Sequence, residues 1–116
     1  MGAHTTAVDA LWAGIPVVTC PGATFASRVG ASVLGAIGLP DLIAPDRAAY
    51  ERLVGRLAER PEERRELRRR LAENRTTYPL FDTKRFARHF ERAFHMMHEA
   101  AVGGESPAVI DVPRLE

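Results

Sequence analysis

The stretch Gly2-Ala3-His4-Thr5-Thr6-Ala7-Val8-Asp9-Ala10-Leu11-Trp12-Ala13-Gly14-Ile15-Pro16-Val17-Val18-Thr19-Cys20 decides how the chain is read. Thr5 and Thr6 are N-cap candidates. Thr6-Ala7-Val8-Asp9 has capping-box spacing, with Asp9 in place of the usual Glu. Val8, Leu11 and Trp12 recur at i, i+3 and i+4 and give a helix one apolar face. Gly14 ends that helix in a left-handed conformation, and Pro16 forbids its continuation. Ile15 to Cys20 is then short, apolar and rich in β-branched residues without alternation. That pattern predicts a strand buried on both faces, as in a parallel sheet covered by helices.

Outward from this stretch the chain reads as helices. Pro21-Gly22 makes a turn, and Thr24 caps a helix over about Phe25 to Ile37. Its apolar face is Phe25, Val29, Val33, Leu34 and Ile37, and Gly38 stops it. Leu39 to Ala44 holds one more very short strand. Asp46 caps a third helix with Tyr50, Leu53, Val54 and Leu57 on its buried face. Pro61 opens a fourth, with Glu62 and Glu63 near its positive end and Leu67 and Leu71 as anchors. Tyr78-Pro79-Leu80-Phe81 is a connecting bend. Asp82 or Thr83 caps a fifth helix whose stripe, Phe86, Phe90, Ala93, Phe94 and Met97, reads as core. From Val102 on, glycines and prolines predict an irregular tail.

Composition narrows the function classes. The 116 residues suffice for one small domain, and the +1 formal charge gives no general attraction to nucleic acid or an anionic membrane. Arginines are dense from Arg52 to Arg75, but Glu62, Glu63 and Glu66 precede Arg68, Arg69 and Arg70 at spacings that permit pairing. The expectation is a solvated helical face. No apolar run approaches a membrane span, and Met1-Gly2-Ala3-His4 has no signal-peptide character. The one cysteine, Cys20, fits a reducing cytosol and reads as a buried side chain, so a cytoplasmic protein is expected. His89, His95 and His98 lack a fourth ligand pattern, so no metal is expected.

The chemistry-bearing residues lie at the start. Small and hydroxylated residues at a helix N-terminus suit an anion, because unsatisfied N–H groups and the helix dipole point there. Thr5 and Thr6 add hydroxyls, His4 can contact a base or phosphate, and the Asp9 carboxylate can accept from two ribose hydroxyls. Capping accounts for the same residues without a ligand, since Thr6 with Asp9 would close the helix end by itself.

The run from Gly2 to Thr19 resembles the donor-site segment of the O-linked N-acetylglucosamine transferases and the related SPINDLY-type proteins. The likeness continues through Pro21-Gly22, Phe25 to Ser32 and Leu42-Ile43-Ala44, then Tyr78 to Thr83 and the aromatic last helix. It implies an α/β fold: the second half of a Rossmann-like C-terminal domain of a two-domain, GT-B type enzyme, mostly helical with one or two short parallel strands. Residues 1–101 would be the partial nucleotide-sugar-binding domain and 102–116 the tail. It implies a UDP-sugar donor carrying N-acetylglucosamine, or a guanosine nucleotide carrying fucose as in the SPINDLY-type proteins, with a protein acceptor, an inverting transfer and no metal or other cofactor. His4, Thr5 and Thr6 would face the diphosphate and Asp9 the ribose, with no catalytic residue in this chain. Ala3 stands where the family often has glycine, and His95-Met96-Met97-His98 where a tryptophan is common. The family's diphosphate lysine and acceptor groups have no counterpart here. The expectation is therefore a C-terminal fragment, from a truncated or misassigned reading frame, that associates with the missing half of the fold. The rival readings are a noncatalytic remnant or partner-binding subunit, and a helical interaction module using the arginine face.

Overall fold

A computed structural model describes residues 4–114. Gly2 and Ala3, the small residues that open the stretch quoted first, lie outside the described residues. Among these, five α-helices follow one another: α1 (Thr5–Trp12), α2 (Phe25–Ala36), α3 (Arg47–Glu59), α4 (Pro61–Thr77) and α5 (Thr83–Val102). Single 3-10 turns occupy Pro40–Leu42 and Pro79–Phe81. The chain divides into two units, one ending at Phe81 and the other beginning at Asp82.

Local chemistry sets most helix boundaries in the first unit. Gly14 and Gly38 take φ of +81° and +73°, the left-handed values that let the chain leave α1 and α2. The Thr24 hydroxyl accepts from the Ser27 N–H at the start of α2, and the Asp46 carboxylate from the Ala49 N–H at the start of α3, 2.7 Å away. Pro61 begins α4 with Glu62 and Glu63 in its first turn.

The expected strands are not formed among the described residues. Ile15 to Cys20 is extended, but one isolated parallel bridge, Thr19 to Ile43, stands in place of a ladder. The Thr19 N–H donates to the Leu42 carbonyl at 3.0 Å, and the Ala44 N–H donates to the Thr19 carbonyl at 2.8 Å. Prolines limit the pairing. Pro16 has no N–H to donate, the 3-10 turn ends at Leu42, and Pro45 follows Ala44 at once. A Cβ added to Gly30 would sit 2.9 Å from the Thr19 hydroxyl, so α2 packs closely on that face of the extended run.

The core of this unit is aliphatic. Leu11, Leu34, Ile37, Leu39, Leu42, Leu57, Leu67 and Leu71 form one buried cluster, with Val17, Val18, Val33 and Leu53 packed against it. Several residues assigned to apolar faces from periodicity lie at the surface: Trp12, Phe25, Tyr50 and Val54 are all exposed. Each sits at the margin of its helix's stripe, and the centre of that stripe (Leu11, Leu34 or Leu57) fills the core. Cys20 is half-buried.

Polar side chains of α4 tie it to the rest of the unit. Arg70 pairs with Asp41 at 2.5 Å, and the Asn74 amide donates to the Ile37 carbonyl at 2.8 Å, satisfying the end of α2. The Arg75 guanidinium reaches the Trp12 carbonyl and lies 5.5 Å from the Trp12 ring, which also meets Phe81 edge-on at 5.0 Å.

The second unit is α5 and an irregular segment after it. Asp82 caps the helix by accepting from the Arg85 N–H at 2.9 Å. No residue of α5 is buried; Phe86, Phe90, Phe94 and Met97 are all more than half exposed, so the stripe read as core is a surface. The three rings cover one another in part, with centroids 5.6 Å apart for Phe86 and Phe90 and 4.8 Å for Phe90 and Phe94.

Candidate functional site

The N-terminal turn of α1 brings His4, Thr5, Thr6 and Asp9 into one neighbourhood. His4 is the N-cap residue, and its carbonyl accepts from Ala7 N–H at 3.0 Å and Val8 N–H at 3.3 Å. The N–H groups of Thr5 and Thr6 therefore precede the first intrahelical bond and have no acceptor among the described residues. The capping box expected from Thr6 and Asp9 is not formed: no side chain among the described residues caps this end, and no acidic residue lies in the first turn. The physical reason is register. The helix starts two residues earlier than that box requires, with His4 rather than Thr6 as the N-cap, which puts Thr6 inside the first turn, where its hydroxyl cannot reach forward as a cap.

Asp9 lies three residues after Thr6 and four after Thr5, so the three share a face of α1. All three are exposed, and the Asp9 carboxylate has no partner among the described residues. The His4 ring is held: its Nε2 lies 3.0 Å from the Ala26 carbonyl in the first turn of α2. A carbonyl only accepts, so Nε2 carries the hydrogen. The other nitrogen, Nδ1, is left to accept when the ring is neutral or to donate when it is protonated. Thr24 and Ser27 stabilise that same turn of α2, the Ser27 hydroxyl donating to the Thr24 carbonyl at 2.7 Å. The Ala26 contact, which fixes the histidine, has no signature in sequence because it joins residues 22 apart.

This arrangement can receive an oxyanion. Two outward N–H groups, an uncapped positive helix end and an oriented imidazole supply donors. A free carboxylate one turn along supplies an acceptor for hydroxyls.

The other sequence candidates are placed differently. The arginine stretch is neutralised in part: Glu63 pairs with Arg56 at 3.1 Å and Arg60 at 2.9 Å, and Arg69 pairs with both Glu66 and Glu73. The guanidinium of Arg69 holds the Glu66 carboxyl below its ordinary range. Arg70 does the same for Asp41 through its hydrogen bond. Arg65 and Arg68 have no carboxylate partner among the described residues. His95 and His98 line a shallow cavity with Glu91 and Phe94, and the His89 Nδ1 lies 2.8 Å from the Arg85 carbonyl. No group of three His, Cys, Asp or Glu side chains among the described residues is arranged to hold a metal ion. No helix of the described residues is long and apolar enough to cross a membrane.

Residues 1–90 match glycosyl transferase family 41. The chain is similar to a probable UDP-N-acetylglucosamine–peptide N-acetylglucosaminyltransferase SEC of Arabidopsis thaliana, 36% identical over 105 residues. That match covers 90% of this chain and 11% of the relative. It is 39% identical over 88 residues to a UDP-N-acetylglucosamine–peptide N-acetylglucosaminyltransferase of Caenorhabditis elegans, covering 76% of this chain and 8% of that protein. A probable transferase named SPINDLY from Hordeum vulgare is 35% identical over 105 residues, again 90% of this chain and 11% of the relative. The chain thus spans about a tenth of the length of these curated relatives.

Proposed function

The chain belongs to glycosyl transferase family 41, and on that premise we propose that it supplies part of the donor site of a protein O-glycosyltransferase. In this reading it is the second half of a Rossmann-like C-terminal domain of a GT-B enzyme that transfers N-acetylglucosamine from UDP to Ser or Thr of proteins, with inversion and without a metal. The N–H groups of Thr5 and Thr6 take the diphosphate, His4 assists through Nδ1, and Asp9 takes the ribose hydroxyls.

The observation that carries the reading is the bare start of α1. A helix end with no side-chain cap, no acid in its first turn and exposed donors is arranged to be completed by an anion. As a leaving diphosphate gains charge, those fixed donors would stabilise it without reorganising. Acceptor recognition and the remaining donor contacts fall to polypeptide outside these residues, with which the chain associates. Acids are interleaved with the arginines of α4, Glu66 and Glu73 both pairing with Arg69, which weighs against a nucleic-acid role.

Titration with UDP and with GDP, followed through backbone amide chemical shifts, tests this. Shifts centred on Thr5, Thr6 and Asp9 on addition of UDP are expected. If neither nucleotide binds at millimolar concentration, the donor-site reading of the isolated chain fails.

A further inference from the structure

The imidazole of His4 bridges two helix starts, and its two nitrogens have different surroundings. Nε2 reaches α2, 3.0 Å from the Ala26 carbonyl. Nδ1 is bonded to Cγ and so stays close to the residue's own backbone, which is the N-cap of α1. The first turn of α2 is itself fixed. The Ser27 hydroxyl donates to the Thr24 carbonyl at 2.7 Å, and the Thr24 hydroxyl donates to Ser27 Oγ at 3.1 Å. A Cβ added to Gly22 would sit 2.9 Å from the same Ser27 oxygen, so the turn before α2 packs closely on it. The acceptor that holds Nε2 thus belongs to a well-tied turn, and the ring cannot exchange its two nitrogens without losing that bond.

Charge around the ring is sparse. Besides His4 at its cap, α1 carries one charged side chain, Asp9, and α2 carries one, Arg28. Residues 13–24 between the helices have Cys20 as their one titratable side chain. His4 makes no ion pair with a carboxylate among the described residues. With its hydrogen on Nε2, the neutral ring offers Nδ1 only as an acceptor, and a phosphate oxygen is an acceptor too. A positive ring beside the bare start of α1 is repelled by the helix dipole, and a bound anion turns that repulsion into attraction.

We propose that the Ala26 carbonyl is a positioning acceptor that commits Nδ1 of His4 to the diphosphate, so that the donor binds together with a proton. The inference rests on the donor-site reading and adds a proton to it. Because Nε2 is already bonded to Ala26, the second proton goes to Nδ1, which becomes a charged donor to a phosphate oxygen. The diphosphate of a UDP-sugar is a diester with no proton to gain or lose near neutrality, so the proton comes from solvent and ends on the imidazole.

Calorimetric titration of the whole chain with UDP-N-acetylglucosamine, repeated in buffers of different ionisation heat, tests this. Net proton uptake is expected near neutral pH, with affinity about fivefold higher at about pH 5.5 than at about pH 8. His4→Gln keeps a donor near the Nε2 position and cannot titrate, so it should bind without uptake and with a flat pH profile. Nitrogen-15 shifts of the free protein at about pH 8 should place the His4 hydrogen on Nε2. Binding without proton uptake, equal uptake in His4→Gln, or a hydrogen on Nδ1 in the free protein would overturn the proposal and leave the donor-site reading standing. No binding at millimolar nucleotide would overturn both.

Discussion

Helices α4 and α5 reverse what their sequences suggest about burial. Most of α4 is charged, yet its two leucines, Leu67 and Leu71, lie in the core. In contrast, α5 separates apolar from polar residues more sharply than any other helix here and buries none of them. Amphipathic spacing determines which face of a helix is available for burial. Whether burial follows depends on the surface opposite. For α4 that surface is the cluster of Leu11, Leu34, Ile37 and Leu42, and polar contacts from Arg70, Asn74 and Arg75 fix its register against distant parts of the unit. In α5 the rings of Phe86, Phe90 and Phe94 cover one another in part and stay more than half exposed.

The contrast can be broken most directly by truncating one side chain on each helix. Leu71→Ala empties a fully buried site and should cost about 2–5 kcal/mol in urea unfolding. Phe94→Ala, at a position more than half exposed, should cost less than about 1 kcal/mol. Equal costs would mean that the two helices are not anchored differently.

Gly38→Ala comes next in size. Its φ of +73° disfavours any side chain, and the new methyl would overlap the Tyr78 ring, so about 1–3 kcal/mol should be lost in the same assay. Cap removal is smaller and separates the regions by readout. Asp46→Ala should lower the unfolding free energy of the first unit by about 1 kcal/mol, and Asp82→Ala should instead reduce helical circular dichroism from the start of α5.

The smallest effect is that of pH on the tie between α4 and Asp41. Arg70 lowers the folded Asp41 value, so the pair stabilises fully above the unfolded value of about 3.9 and loses that contribution as pH falls through the folded one. The pair is half exposed, so Asp41→Asn should flatten the acid limb of the stability curve by well under about 1 kcal/mol.

Much of this was legible in the sequence because it is local. Thr24, Asp46 and Asp82 cap helices by reaching three residues ahead, and Gly14 and Gly38 end them through their own backbone angles. Leu67 and Leu71 were identifiable as anchors because α4 offers little else apolar. What could not be read is set by distance along the chain. The Arg70–Asp41 pair, the Asn74 contact with Ile37 and the Arg75 contact with Trp12 join residues 29, 37 and 63 apart. The two short strands failed for want of room between prolines, and the Thr6–Asp9 capping box failed on a register difference of two residues. At the candidate site, residue chemistry marked His4, Thr5, Thr6 and Asp9 as anion-facing, and the family likeness gave them a nucleotide. The anchoring of His4 by Ala26 appears only in three dimensions.

Trp12, in contact with Arg75 and Phe81, is the sole tryptophan of the chain, and both tyrosines, Tyr50 and Tyr78, also precede Asp82. Tryptophan and tyrosine emission therefore comes from the first unit alone, and α5 adds only the weak signals of its phenylalanines and its peptide bonds. Excitation of the indole would follow the loosening of the Arg75 and Phe81 contacts, while far-ultraviolet dichroism sums all five helices. A mismatch between those two melting curves would be an optical measurement of how far the leucine-cored and phenylalanine-faced parts of the chain melt together.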